Sequence, residues 1–265
     1  MGPKPSYCYN SQIMKLTQLM ESEPHPCGYL PGQTAVLQET VAFELDPGEF
    51  RQLIDLGFRR FGRGLFRPIC HWCQKCIPIR ILAKDFVPTR SQKRNFSKNI
   101  SQIDLQIEIA KADEKQLERL AQLHQQFHAM QTKDKSWPQQ DKWDSARFVA
   151  NMAEQPFPVE VWNYIHKGEV VGSGYVDPLP DGLSAIYFIY DPEVRPMGLG
   201  IFNVLSMIEG AKARGLDYLY LGFWVPGSAS MAYKATFSPS ELLTGQKLWT
   251  PFPSKTLVDP PSRGF

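Results

Sequence analysis

The chain has 265 residues, 43% of them hydrophobic and 21% charged, with a formal net charge of +2. Such a length allows one large domain or two small ones, and such an apolar fraction excludes a disordered polymer. As an average, the charge also speaks against a polyanionic partner, but the average hides a segregation. Residues 51–98 hold twelve Lys/Arg against two Asp/Glu, a local balance of +10, while the remainder holds seventeen basic and twenty-five acidic groups, a balance of −8. One basic block on an otherwise acidic chain predicts a surface that faces a polyanion. No apolar run approaches the roughly 20 residues of a membrane helix, and the polar, proline-broken start is unlike a secretory signal. A cytoplasmic protein without membrane contact is the expectation.

In chain order, residues 1–25 carry no hydrophobic period and predict a helix-and-loop arm. Asp46-Pro47-Gly48-Glu49 has the pattern of a helix start, with Asp as N-cap, Pro in the first turn and Glu three residues on. Phe50, Leu53 and Ile54 form its apolar face, and Gly57 ends it. From Gly57 to Pro68 glycines punctuate alternating basic and aromatic residues, which predicts a twisted strand pair. Residues 77–82 predict a further strand.

Between them lies Cys70-His71-Trp72-Cys73-Gln74-Lys75-Cys76, a C-x-x-C-x-x-C run. In a cytosolic chain this spacing reads as zinc or iron–sulfur ligation before a disulfide framework. Cys27, in the tight Pro26-Cys27-Gly28-Tyr29 turn, is the natural fourth ligand beside Cys70, Cys73 and Cys76, and Cys8 is spare. Redox-active thiols and plain core packing are the competing readings. The run from Thr89 to Asn99 is either a solvated basic helix or loop, or a phosphate cradle. The forks of Arg90 and Arg94, the Lys93 ammonium and the donors of Ser91 and Gln92 suit the latter.

A helix is expected over residues 113–130, with Leu117, Leu120, His124 and Phe127 on one face. His124 and His128, one turn apart, could share a metal, but core edge plus surface is the commoner use of such a pair. A polar linker over 131–143 and a short helix capped by Asp144 follow. Strands at 159–165, 169–176 and 183–190, a helix at 199–214 closed by Gly215, and a strand at 217–224 complete an α+β pattern with a mixed sheet. The domain boundary is expected near 100–112, giving a basic, cysteine-containing unit at 1–105 and a second at 106–265, with strand exchange between them open. Arg195-Pro196-Met197-Gly198-Leu199-Gly200 sits between a strand and a helix, where glycines admit a close ligand and the helix start attracts an anion.

Read together, these pieces resemble a known family. Cys27-Gly28-Tyr29-Leu30-Pro31-Gly32, Gly57-Phe58-Arg59-Arg60, Phe66-Arg67-Pro68, the cysteine run with Ile77-Pro78-Ile79-Arg80, and Ser91-Gln92-Lys93-Arg94 are similar to the amino-terminal signature of the aminoacyl-tRNA–protein transferases. Asp181-Gly182-Leu183-Ser184, Tyr190-Asp191-Pro192, Leu199-Gly200, Tyr220-Leu221-Gly222 and Met231-Ala232-Tyr233-Lys234-Ala235 are similar to the carboxy-terminal one. The length resembles the compact bacterial aspartate/glutamate leucyltransferases more than the longer eukaryotic arginyltransferases. Two departures stand out: Gly198 where the family often has serine, and Leu30 where eukaryotic members have a second cysteine.

The resemblance implies an acetyltransferase-like (GNAT-like) fold. It also implies transfer of an aminoacyl group, leucine before arginine, from charged tRNA to the α-amine of proteins beginning with Asp or Glu, marking them for N-degron proteolysis. No cofactor is needed for that chemistry, because the ester is already activated. Asp191 is the expected proton acceptor or ammonium anchor, and Tyr187, Tyr220 and Tyr233 the expected positioning or oxyanion groups. Lys234 is expected as a cation for a phosphate or the acceptor's carboxylate, a role also open to Arg67 and Arg80. Arg90, Ser91, Gln92, Lys93, Arg94, Gly198 and Gly200 are expected to hold tRNA. A coenzyme-A-dependent N-acetyltransferase and a non-catalytic, metal-dependent RNA-binding module are the rival readings.

Overall fold

Aspartate 46 opens the first helix as its sequence predicts. In the computed structural model, which describes residues 15–110, 113–135, 145–245 and 247–253, its carboxylate accepts the Glu49 N–H at 2.8 Å. Glu49 accepts the Asp46 N–H at 2.9 Å in return, a closed capping box. Before it come four two-residue strands, β1 (Lys15–Leu16), β2 (Met20–Glu21), β3 (His25–Pro26) and β4 (Thr34–Ala35), and the longer β5 (Leu37–Glu44). The helix-and-loop arm is thus corrected over its described part. β1 and β2 pair with β5, and β3 pairs with β4, in tracts too short to show an alternating pattern. Residues 1–14, Cys8 among them, lie outside the described residues.

Helix α1 (Pro47–Asp55) buries Phe50, Leu53 and Ile54 and ends at Gly57, whose φ of +86° suits glycine. The expected hairpin follows as β6 (Arg59–Phe61) and β7 (Gly64–Pro68), with β7 pairing β5. β8 (Ile77–Leu82) leaves this layer. It enters an eight-stranded sheet between β13 (Tyr218–Trp224) and β14 (Ser240–Leu243), antiparallel to both. The remaining members are β9 (Asp104–Ile109), β10 (Glu160–His166), β11 (Glu169–Pro178), β12 (Gly182–Tyr190) and β15 (Trp249–Pro251), in the order β15-β14-β8-β13-β12-β11-β10-β9. Only β12 and β13 run parallel, joined by α5 (Leu199–Ala213), so the sheet is mixed as expected.

Between β8 and β9 runs α2 (Arg90–Ile100), while α3 (Glu114–Lys135) packs against β11 and β12 with α4 (Ser145–Ala153) beside it. Leu120, His124 and Phe127 are buried along α3. That helix runs on past Met130 into the stretch read as linker, and the rest of the linker with the Asp144 cap falls outside the described residues. Val204, Leu205, Ile208 and Ala211 point inward from α5. Residues on both sides of position 105 share one core, in which Ala42, Phe50 and Leu65 pack with Phe127, Val149 and Tyr175. Under it lies a fully buried ion pair, in which Arg60 of β6 grips the Asp177 carboxylate of β11.

Candidate active site

The parallel ladder between β12 and β13 is short. It pairs Gly182 with Tyr218, Leu183 with Leu219 and Ser184 with Tyr220, then stops, although both strands continue. A register shift after Tyr220, with Gly222 at φ +78°, bends β13 away from β12. Arg59 enters this wedge from β6, and its guanidinium donates to the Ala185 carbonyl at 2.6 Å. Beyond the split lies a cavity of about 460 Å³.

The walls of this cavity are mostly apolar, with Phe127, Phe188, Val204, Met207 and Leu221 among them, and among the described residues they include no Asp or Glu. Their one charged residue is Lys234, in a 3-10 turn over Ala232–Thr236. Lys234, expected as a cation for a phosphate or the acceptor's carboxylate, is enclosed: the side chain is 8% exposed and its Nζ donates to the Phe223 carbonyl at 2.9 Å. Burial, joined by repulsion from Arg59 and opposed by Cys76, brings its pKa from 10.5 down to about 7. Near neutral pH a good fraction of this lysine is a free amine, able to take a proton.

Across the cavity is the start of α5. Gly198 caps it at φ +66° with no side-chain hydrogen bond to the first turn, and Leu199 and Gly200, whose main-chain N–H groups open the helix, line the space. A Cβ at Gly200 would meet nothing within 4 Å, whereas one at Gly198 would come within 2.7 Å of the Asn95 amide nitrogen. That amide is held in place, donating to the carbonyls of Met197 (3.0 Å) and Gly198 (3.3 Å), while Asn99 donates to Met197 at 2.8 Å. Gly198→Ala should therefore combine a left-handed backbone with a collision, costing about 1–3 kcal/mol of stability. Chemical denaturation measures this, and a change below a few tenths would mean the turn relaxes freely.

The other expected site residues fall in several places. Tyr187 and Tyr233 line the cavity, Tyr187 half-buried against Phe61 and Phe148, with its pKa raised by burial. Asp191 does not line it; its carboxylate accepts the Glu193 N–H at 2.9 Å and caps the 3-10 turn over Pro192–Met197. Tyr220 is buried elsewhere, donating to Asp181 at 3.0 Å. Arg195 is paired with Asp134. Arg80 is buried, bound to Glu241 at 2.6 Å and stacked 3.8 Å from the Tyr218 ring. Arg67 donates to Gln38 at 2.8 Å and to the Leu56 carbonyl at 2.9 Å.

On α2 the expected cradle divides. Arg90, Ser91, Lys93 and Arg94 are exposed. Gln92 is not: it is 5% exposed, closes a capping box with Thr89 and donates to the Thr236 carbonyl at 3.1 Å. The basic block as a whole is likewise no uniform surface, since Arg59, Arg60 and Arg80 point inward.

The cysteines of the described residues gather in one place. Burial first, then the neighbouring Cys27, Cys70 and Cys73, push the Cys76 thiol up to about 12, so the four thiols share one neighbourhood. Among the described residues, however, no three Cys, His, Asp or Glu side chains are arranged to hold a metal ion. Cys27, Cys73 and Cys76 pack instead against Leu30, Phe223 and Val225, with Leu30 filling the place of the second cysteine. His124 stacks on Phe148 at 3.9 Å and lies 3.0 Å from the Ser145 hydroxyl, and burial lowers its pKa to about 4. Of the cavity's polar groups, Gln131, Asn203 and Ser230 had no signal in the sequence, whereas Gly222 inside β13 is a mark of a bulge that the sequence reading passed over.

Two family models match, "Arginine-tRNA-protein transferase, N terminus" over residues 25–94 and "Arginine-tRNA-protein transferase, C terminus" over residues 119–244. The chain belongs to the aminoacyl-tRNA–protein transferases. It is 34% identical over 232 residues to the aspartate/glutamate leucyltransferase of Chromobacterium violaceum, covering 87% of this chain and 92% of that one. Similar relatives of the same name are those of Marinobacter nauticus (36%, 83% and 90% covered) and Teredinibacter turnerae (32%, 88% and 95% covered). Among solved structures, L-PGS from Bacillus licheniformis is similar with a TM-score of 0.43 and 13% identity, over 69% of this chain and 53% of that one.

Proposed function

We propose that the chain transfers a leucyl group from leucyl-tRNA to the α-amine of proteins beginning with Asp or Glu, in the cytoplasm and in the service of N-degron proteolysis. The observation that carries this reading is the cavity, an apolar space with one buried amine on one side and unfilled main-chain donors at a helix start on the other. An arginyl side chain would need a carboxylate, and these walls offer none, which favours the leucyl donor over the arginyl one. The wedge between two parallel strands and the uncapped helix beside it support an acetyltransferase-like core. Coenzyme A is disfavoured as donor because Arg195, the cation of the glycine turn, is already held by Asp134.

The chemistry is one exchange of acyl bonds. The acceptor's neutral nitrogen attacks the ester carbonyl, the carbon–oxygen bond to the ribose breaks, and an amide forms. The nitrogen's proton passes to Lys234 Nζ, and the ammonium so formed gives a proton to the departing ribose oxygen, which returns the lysine to its free-amine form. The N–H groups of Leu199 and Gly200 stabilise the oxyanion, with Tyr187 and Tyr233 packing the substrate between them. Asp191 acts at a distance by fixing the turn before Gly198.

Arg90, Lys93 and Arg94, with Lys98, give α2 an exposed cationic face for the RNA backbone. Lys93→Glu should weaken tRNA binding and lower the slope of log affinity against log salt by about 1. A filter-binding series across salt concentrations measures this, and an unchanged slope removes Lys93 from the interface. The transfer itself is tested with purified protein, labelled leucyl-tRNA or arginyl-tRNA, and peptides beginning with Asp, Glu, Lys or Arg. Transfer only from acetyl-coenzyme A would overturn the assignment.

A further inference from the structure

Tryptophan 72 is 98% exposed, at the tip of the loop between Cys70 and Cys73. An indole held wholly in water is unusual, because burying so large a ring is favourable by a few kcal/mol. Its neighbours His71, Gln74 and Lys75 are exposed too, and the loop from Cys70 to Cys76 contains no acidic residue.

The loop borders a second cavity of about 620 Å³. Cys70, Cys73 and Gln74 form one wall, Phe223 part of the floor, and Arg67 and Lys247 supply two cations; among the described residues its walls include no Asp or Glu. Strand register fixes where this groove lies. Ile77, the first residue of β8, pairs with Trp224, the last of β13. The cysteine loop therefore stands at the carboxyl end of β13. β12 is parallel to β13, and its own carboxyl end leads to Gly198 and the first cavity. The two spaces are adjoining, since Phe223 lines the second and its carbonyl holds Lys234 of the first.

We propose that this groove takes the single-stranded 3′ end of the donor RNA and that Trp72 stacks on one of its bases. The inference rests on the transferase reading above. Three features select a nucleic acid strand as occupant: an exposed aromatic face, two cations with no opposing carboxylate among the described lining residues, and a floor residue, Phe223, whose carbonyl holds Lys234 of the cavity where the ester must react. Unpaired RNA ends are held in just this way, by rings against bases and cations against phosphates. The contact is a positioning one, because Trp72 touches no reacting atom.

The test compares wild type, Trp72→Ala and Trp72→Phe with two donors, leucyl-tRNA and 3′-O-leucyladenosine, and an Asp-initiated acceptor peptide. Loss of one stacked base should raise KM for leucyl-tRNA about tenfold in Trp72→Ala, with Trp72→Phe recovering most of it. The rate from leucyladenosine, which has no strand to stack, should be unchanged. An equal effect on both donors, or one confined to the acceptor peptide's KM, overturns the proposal, and the latter would make the groove an acceptor-protein site. If wild type transfers leucine from neither donor, it is the transferase reading that fails. Binding of deacylated tRNA, expected about tenfold weaker in Trp72→Ala, then still decides the role of Trp72, and unaltered binding refutes it.

Discussion

Lys234→Met should lower kcat/KM for leucyl transfer by about two to four orders of magnitude, the range that a positioned general base supplies. Lys234→Arg should not restore the rate, because a guanidinium stays protonated and cannot accept a proton. In wild type the kcat/KM profile should fall below about 8 as the acceptor's α-amine gains its proton, and fall more steeply below pH 7 as the Lys234 amine gains one too. In the methionine variant that second, steeper step should vanish, leaving the single fall of the α-amine. A variant with near-normal activity, or one that keeps the steeper step, would remove Lys234 from proton transfer.

The same substitution should make the folded protein more stable. The lysine binds a proton up to about 10.5 when unfolded but only up to about 7 when folded, so between these values the unfolded chain holds more protons. Stability therefore rises with pH across that window, and below pH 7 the burial penalty is complete. Methionine removes the penalty, a gain on the order of a few kcal/mol at pH 6 that fades toward pH 10. Denaturant titrations of the two proteins at pH 6 and pH 9 measure the difference. Equal stability at both values would show that the amine is hydrated in the folded state. Such an exchange of stability for function is common where a site keeps a polar group dry.

Asp177→Ala has the largest expected structural effect. It leaves the Arg60 guanidinium, which is 1% exposed in its side chain, without its counter-charge, at a cost of about 3–5 kcal/mol. That is a large share of the roughly 5–15 kcal/mol by which domains are stable. The double variant Arg60→Leu with Asp177→Leu should recover much of the loss, because neither charge then remains buried. Recovery will be partial, since Arg60 also donates to the Gly62 carbonyl and to Gln155. A loss under 1 kcal/mol in Asp177→Ala would mean that water reaches the pair.

Local signals in this sequence were legible because local chemistry produces them. Asp46 and Glu49 close a ring of two hydrogen bonds within four residues, and Lys167 and Gly168, both at positive φ, turn a hairpin inside two. Thr89 and Gln92 carry the same capping grammar, yet Gln92 reads as an RNA donor once a run of cations surrounds it. Charge was the weakest guide. Arg59, Arg60 and Arg80 each find a carbonyl, carboxylate or aromatic face contributed by a distant segment, and no local pattern marks an arginine whose partner lies more than a hundred residues away. Lys234 stood out by its motif, but a lysine in a short turn carries no sign of being enclosed. The family resemblance reached the right class because it drew on many ordered positions at once, where each single residue was ambiguous.

The place of β8 between β13 and β14 has a consequence for how the molecule is made. A growing chain emits this strand long before either neighbour, since β13 begins at Tyr218 and β14 at Ser240. Until then its Ile79 and Ile81, which are fully enclosed in the finished sheet, have nothing to pair with. The nascent protein must carry an unsatisfied, apolar ribbon while the intervening segment is made, a demand that favours chaperone attendance and slow, late closure. A truncated product that stops before residue 218 would be left with that ribbon exposed for good, and so marked for removal itself.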